Sequence, residues 1–170
     1  KCQYYYLNTI VVGEGEHHIE GDYLEISSAN VVGDSEVPKE KIVIFGGILF
    51  KKGSDANCHL QHLTIRRARA NGVVGRSSFT MEDVLVEQCG VSGVIACGVS
   101  GVIAYGTCKR VIGRCTNIEV RQCGVSGVTA SDGGSITLIG AKTTVHHNCT
   151  KGGYGLQVIG SPSSTIQLLS

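Results

Sequence analysis

Six histidines, eight cysteines, fourteen acids and fifteen bases supply the groups in this chain that could do chemistry. His146-His147 is the pair that first suggests a base or a metal ligand set. Adjacent residues on an extended strand point to opposite faces, so the two are not expected to share one ion. Cys58-x-x-x-His62 has the spacing of half a zinc site with no second half, and His17, His18 and His59 add none. No metal or other cofactor is expected. The carboxylates are scattered over Glu25, Asp34, Asp55, Glu82, Asp83, Glu87, Glu119 and Asp132. Arg66, Arg67 and Arg69, with Arg76, form the compact basic stretch; such a stripe could hold an anionic polysaccharide by bidentate contacts to carboxylate or sulfate. The alternative is that these arginines pair with carboxylates on neighbouring segments of the fold.

The cysteines sit in a repeated phrase. Cys89-Gly90-Val91-Ser92-Gly93-Val94 recurs from Cys97 and again from Cys123, and the frame extends backwards, Val84-Leu85-Val86-Glu87-Gln88 being echoed by Ile118-Glu119-Val120-Arg121-Gln122. Repetition of this fidelity implies stacked units. The phrase is expected to form one corner of a coil, with its glycines shaping the turn, Val packing inward and Cys stacked on its counterpart. Corresponding residues on adjacent coils lie about 4.8 Å apart, within disulfide reach, so cross-coil bridges and reduced inward thiols both remain open. Cys108 with Cys115 is the leading bridge candidate. Asn148-Cys149-Thr150 matches the glycosylation acceptor pattern, which matters if the chain is secreted.

The elements that must position these groups are strands. Aliphatic pairs flank a single residue at Leu24/Ile26, Leu63/Ile65, Ile118/Val120, Ile136/Leu138, Leu156/Val158 and Ile166/Leu168, a period of two with no helical period beside it. Including Ile42/Ile44 and Val84/Val86, successive starts are 18 residues apart from Leu24 to Ile42, 21 from Ile42 to Leu63 and 21 from Leu63 to Val84. Spacing near twenty suits one coil of a parallel β-helix better than an antiparallel sandwich, whose strands recur at about 8 to 12 residues. The step from Val84 to Ile118 is 34 residues, and a tandem octapeptide duplication within 89–104 accounts for part of the excess. Such length is tolerated as surface loop.

The coil period, the phrase Gln-Cys-Gly-x-Ser-Gly-Val, the segment from Thr143 to Gly152 and the ending Ser163-Ser164-Thr165-Ile166-Gln167-Leu168 resemble right-handed parallel β-helix repeat proteins of the pectin-lyase-like superfamily, and within it a largely uncharacterised algal-type branch. The resemblance spans roughly Ile10 to Ser170. It implies an all-β, single-stranded right-handed solenoid of roughly seven coils over 1–170. It does not choose among the lyases, hydrolases, epimerases, tailspikes and structural solenoids of that superfamily. The clustered Asp pairs of polygalacturonase-like enzymes and the Asp-Pro-His segment of mannuronan-epimerase-like enzymes are missing here.

A formal charge of +1 draws the chain to neither nucleic acid nor an anionic membrane, and aromatic residues that could stack on bases are scarce. The longest apolar run, Ile42 to Phe50, is far short of a bilayer span of about 20 residues. The reading is therefore a non-catalytic structural or surface-binding module, extracellular or at the cell surface. It is either a fragment of a longer solenoid or a subunit that associates end to end with itself, because the strand-like ending Ile166 to Ser170 leaves an edge open. The rivals are a carbohydrate-active lyase, hydrolase or epimerase on acidic polysaccharide, using Arg66, Arg67 and Arg69 with His146 or Asp132, and a glycan-binding module without turnover.

Overall fold

The structure is a computed structural model that describes residues 8–52, 58–98 and 110–170. Among these residues it is all-β, with one 3₁₀ turn at Lys39–Lys41, and every named strand pair is parallel. Among the described residues no helix is long and apolar enough to cross a membrane. Parallel partners need long connections, and here each connection is the rest of a coil.

The chain winds as a three-sided solenoid. One face stacks β1 (Asn8–Val12), β3 (Ala29–Gly33), the first half of β5 (Cys58–Arg66), the first half of β7 (Phe79–Glu87), β9 (Ile112–Thr116), β12 (Ser135–Ile139) and β15 (Thr165–Leu169). A second stacks the first half of β2 (Gly15–Ile26), the first half of β4 (Ile42–Phe50), the second halves of β5 and β7, β10 (Glu119–Arg121) and β13 (Thr144–His146). The third stacks the second halves of β2 and β4, β6 (Val73–Gly75), β8 (Ser92–Cys97), β11 (Ser126–Ser131) and β14 (Leu156–Ile159). Six strands on each of the last two faces make a rise of about five turns from first rung to last, a little short of the roughly seven coils expected.

The register corrects one reading of the spacing. Leu24 pairs with Ile48 on the third face, whereas Ile42 pairs with Gly15 on the second, so the step of 18 between Leu24 and Ile42 is not a coil. The cause is that β2 and β4 each bend round a corner, and alternation continues through the bend. True coil steps on the second face run 21 from Ile44 to Ile65, 21 from Ile65 to Val86, 34 from Val86 to Val120 and 25 from Val120 to Val145. In the long turn the extra residues fall between β8 and β9. The second octapeptide begins at Cys97, the end of β8, and from residue 99 onward lies outside the described residues. The first and third copies stack directly, Ser92 on Ser126 and Val94 on Val128.

The corners follow a rule of their own. Arg67, Gln88, Gln122 and His147 occupy equivalent positions between the second and third faces on successive turns, all left-handed with φ between 51° and 57°. Left-handed backbone costs a non-glycine residue about 1 kcal/mol or more, which the stacked neighbours must offset. The residue after each corner turns inward, giving a column of Ala68, Cys89, Cys123 and Asn148, the first three at 2% exposure or less. The Cys of the phrase is therefore stacked inside, as expected.

Its glycines act differently from the expectation. None of Gly90, Gly93 and Gly124 has positive φ; a Cβ at Gly90 would lie 2.0 Å from the Arg69 carbonyl oxygen, at Gly124 2.2 Å from that of Gly90, and at Gly93 2.8 Å from that of Gly127. They permit coils to approach rather than the chain to turn. The inward valine is Val94, fully buried, while Val91 is 38% exposed. The core is a continuous aliphatic column with Phe50 stacked on Phe79 at 5.2 Å.

Candidate functional site on the second face

Parallel stacking brings residues one coil apart side by side, and on the outer side of the second face those residues are charged. Arg66 at the end of β5 is in register with Glu87 at the end of β7, which is in register with Arg121 at the end of β10. Arg66 Nε donates to Glu87 Oε1 at 2.5 Å and Arg121 Nε to Glu87 Oε2 at 2.8 Å; Arg121 Nη1 donates to Glu119 Oε1 at 2.9 Å. The Glu87 side chain is only 5% exposed, with both oxygens occupied by guanidinium groups. These pairs, Glu87 above all, hold the Arg121 guanidinium above the usual arginine range. A carboxylate buried this far is tolerated because it is paired and hydrogen-bonded on both oxygens.

The ladder continues into the histidines. His146 on β13 places Nε2 3.2 Å from Glu119 Oε1, and its Nδ1 lies 2.6 Å from Nδ1 of His147. The expectation that adjacent histidines diverge fails here, because His147 is the left-handed corner residue and the chain bends between them. The rings meet edge to face with centroids 4.8 Å apart.

A second cluster sits where a loop crosses the same face. The segment around Lys39–Lys41 covers β5 and β7: Thr64 Oγ1 donates to the Lys39 carbonyl at 2.8 Å, and Thr64 and Leu85 are buried although they point outward. His62 and Asp83 are left-handed corner residues between the first and second faces. His62 places Nε2 2.8 Å from the Val37 carbonyl and Nδ1 2.7 Å from Asp83 Oδ2, while Lys39 Nζ contacts Asp83 Oδ1 at 2.5 Å. Both ring nitrogens face acceptors, so the imidazolium satisfies the site best. The Val37 carbonyl, with Asp83, raises the His62 pKa against the opposing effect of burial. Burial opposes ionisation of Asp83 as well, but Lys39 and His62 outweigh it and lower the Asp83 pKa.

The four arginines of the expected anionic stripe do not form one surface. Arg66 is engaged by Glu87. Arg67, at the corner, donates to Gln88 Oε1 at 3.3 Å and lies 5.8 Å over the Phe45 ring, which itself stacks on His18 at 4.8 Å. Arg67 and Arg69 are exposed and line a cleft of about 160 Å³ with Asp22 and Phe45. Arg76 follows β6 and so stands at the far end of the third face.

Cys115 is a free thiol fully buried in β9, where desolvation pushes it up to about 12; its expected bridge partner Cys108 lies outside the described residues. Cys89 is pushed up by its hydrogen bond to Cys123 and by burial, a packed thiol rather than a nucleophile. Asn148 uses the amide that glycosylation would modify: Nδ2 donates to the Val120 carbonyl at 3.0 Å and Oδ1 accepts from the Cys123 amide at 3.0 Å. Asp132 is a left-handed residue at the end of β11, on the opposite side of the third face from His146.

The sequence shows Glu87 and Glu119 only as scattered carboxylates and gives Arg121 no role, so their meeting in one ladder is new. The repeated frame carries a signal for them, since Glu87 and Arg121 hold the same place before Gln-Cys-Gly in their two copies. Comparison with known protein families, with curated proteins and with solved structures returned no match.

Proposed function

We propose that this chain is a non-catalytic structural or surface-binding β-solenoid module of the pectin-lyase-like kind, working at the cell surface or outside the cell. The observation that carries the reading is the Arg66–Glu87–Arg121–Glu119 ladder. A uronic-acid enzyme needs a carboxylate or histidine beside cations with capacity left for substrate. Among the described residues Glu87 and Asp83 each face two cationic groups, and in both carboxylates both oxygens are already taken. Such a ladder ties turns together instead of addressing a sugar. Alginate, pectin and fucoidan incubated with the chain are expected to release no products; release from any of them overturns this reading in favour of the lyase, hydrolase or epimerase alternative.

Self-association supplies the second part of the proposal. The inward positions of β14 and β15 carry Leu156, Val158 and Leu168 at 40%, 49% and 66% exposure, and each strand pairs on one side only among the described residues. An open parallel edge with apolar side chains suits a second copy stacked in register. Sedimentation velocity over a concentration series is expected to show a monomer–oligomer equilibrium. A strict monomer throughout removes the stacking part. Exposed Arg67 and Arg69 beside Phe45 favour an anionic glycan as the surface ligand, and a glycan array with no acidic binder removes that part.

A further inference from the structure

We propose that His146 and His147 form a surface site for a borderline divalent transition ion, with Zn2+ as the reference case and Glu119 as the group that orients it. The corner geometry of His147, φ 51°, swings its ring back towards its neighbour, and the two Nδ1 atoms stand 2.6 Å apart. Glu119 Oε1, 3.2 Å from His146 Nε2, can only accept, so that nitrogen carries a proton and the Nδ1 of the neutral ring is a bare lone pair. A metal-ligating imidazole is ordinarily held in this way, its other N–H donated to a carboxylate. In the ion-free form the short contact is a hydrogen bond from His147 Nδ1–H to His146 Nδ1.

Binding requires no net proton change. The His147 proton moves from Nδ1 to the solvent-side Nε2, and both Nδ1 lone pairs then meet the ion. Zinc bonds of about 2.0–2.1 Å at a tetrahedral angle set the two nitrogens about 3.3 Å apart, so binding requires the exposed His147 ring to turn until both lone pairs meet at the ion. Within the ladder beside the pair, Arg66 and Arg121 are balanced by Glu87 and Glu119. Imidazole pairs suit Zn2+, Ni2+ and Cu2+ over Mg2+ or Ca2+. Among the described residues no group of three or more His, Cys, Asp or Glu assembles around one point, so water completes the coordination and affinity is modest.

The test is titration of the whole chain with Zn2+ and, separately, Ni2+ near neutral pH, read by calorimetry and by imidazole NMR. One ion per chain is expected, with Ni2+ broadening the His146 and His147 ring signals first. His147→Ala should weaken binding at least about tenfold and Glu119→Gln about tenfold, the usual effect of losing an orienting carboxylate. His17→Ala with His18→Ala, the other adjacent pair, should leave binding unchanged. Binding that survives His147→Ala, broadening centred on other histidines, or no binding at all overturns the proposal. The NMR reading on the unaltered chain decides the matter even if a variant misfolds.

Discussion

Ile136 and Leu138 on β12 and Ile166 and Leu168 on β15 are the same two inward positions one turn apart, yet the first pair is buried and Leu168 is 66% exposed. The third face repeats the contrast, Val128 and Ala130 at 0% against Leu156 at 40% and Val158 at 49%. Alternation, residue type and hydrogen-bond register are alike in both regions. Burial in a solenoid is thus conferred by the next rung, and the energy of an inward side chain is a nearest-neighbour quantity.

Truncation at matched positions should expose that difference most strongly. Ile65→Ala, in the middle of the stack and fully buried, is expected to cost about 3 kcal/mol in urea unfolding, while Leu168→Ala should cost under about 1 kcal/mol. Equal costs would mean that the last rung is covered in solution, and the contrast would then disappear with concentration if a second copy covers it.

Close approach between coils should be nearly as sensitive. Gly93→Ala places a methyl group against the Gly127 carbonyl and Val120 and should destabilise by about 2 kcal/mol, whereas Gly155→Ala, with nothing within 4 Å, should be close to neutral. A neutral Gly93→Ala would show that coil spacing is soft.

The ladder ranks next. Glu87→Gln keeps the shape but takes the Glu87 counter-charge from Arg66 and leaves Arg121 with Glu119 alone, at an expected cost of about 1.5 kcal/mol, reduced from the fully buried case because Arg66 and Arg121 reach solvent. Salt should recover part of the loss, since the guanidinium groups left facing each other reach solvent and are screened there.

The smallest effect is the pH dependence of the loop cluster. His62 is raised above its ordinary 6.5, so its contribution is complete below that value and fades as pH rises through the folded value. Asp83 is lowered below its ordinary 3.8, so its contribution is present above that value and fades as pH falls through the depressed one. Stability from this pair therefore peaks between the two. The unfolding free energy from urea titration should fall slightly from pH 6 to pH 8, by under about 1 kcal/mol for partly exposed groups, and His62→Gln should flatten the slope.

The stacked-strand architecture is legible in the sequence because alternation and near-repetition are local properties: Leu63/Ile65 and Val84/Val86 mark their strands and their 21-residue step unaided. Face assignment is not. Strands β2 and β4 bend while alternating, so Leu24 and Ile42 look equivalent though they lie on different sides of the solenoid. The ladder is hidden for a related reason. Glu87 meets Arg66 across 21 residues and Arg121 across 34, and only register reveals that both distances amount to one turn. The meeting of His146 with His147 depends on a left-handed corner, and the equivalent corners are held by Arg67, Gln88 and Gln122, so no shared residue type announces it.

The 34-residue turn carries a practical consequence. On both of its flanks the pairing is the ordinary one, Val94 on Val128 and Phe79 on Gly113, so the stack keeps its alignment whatever length of chain passes between β8 and β9. That junction is a natural grafting point. A foreign peptide spliced there would have its two ends anchored in neighbouring rungs, β8 and β9.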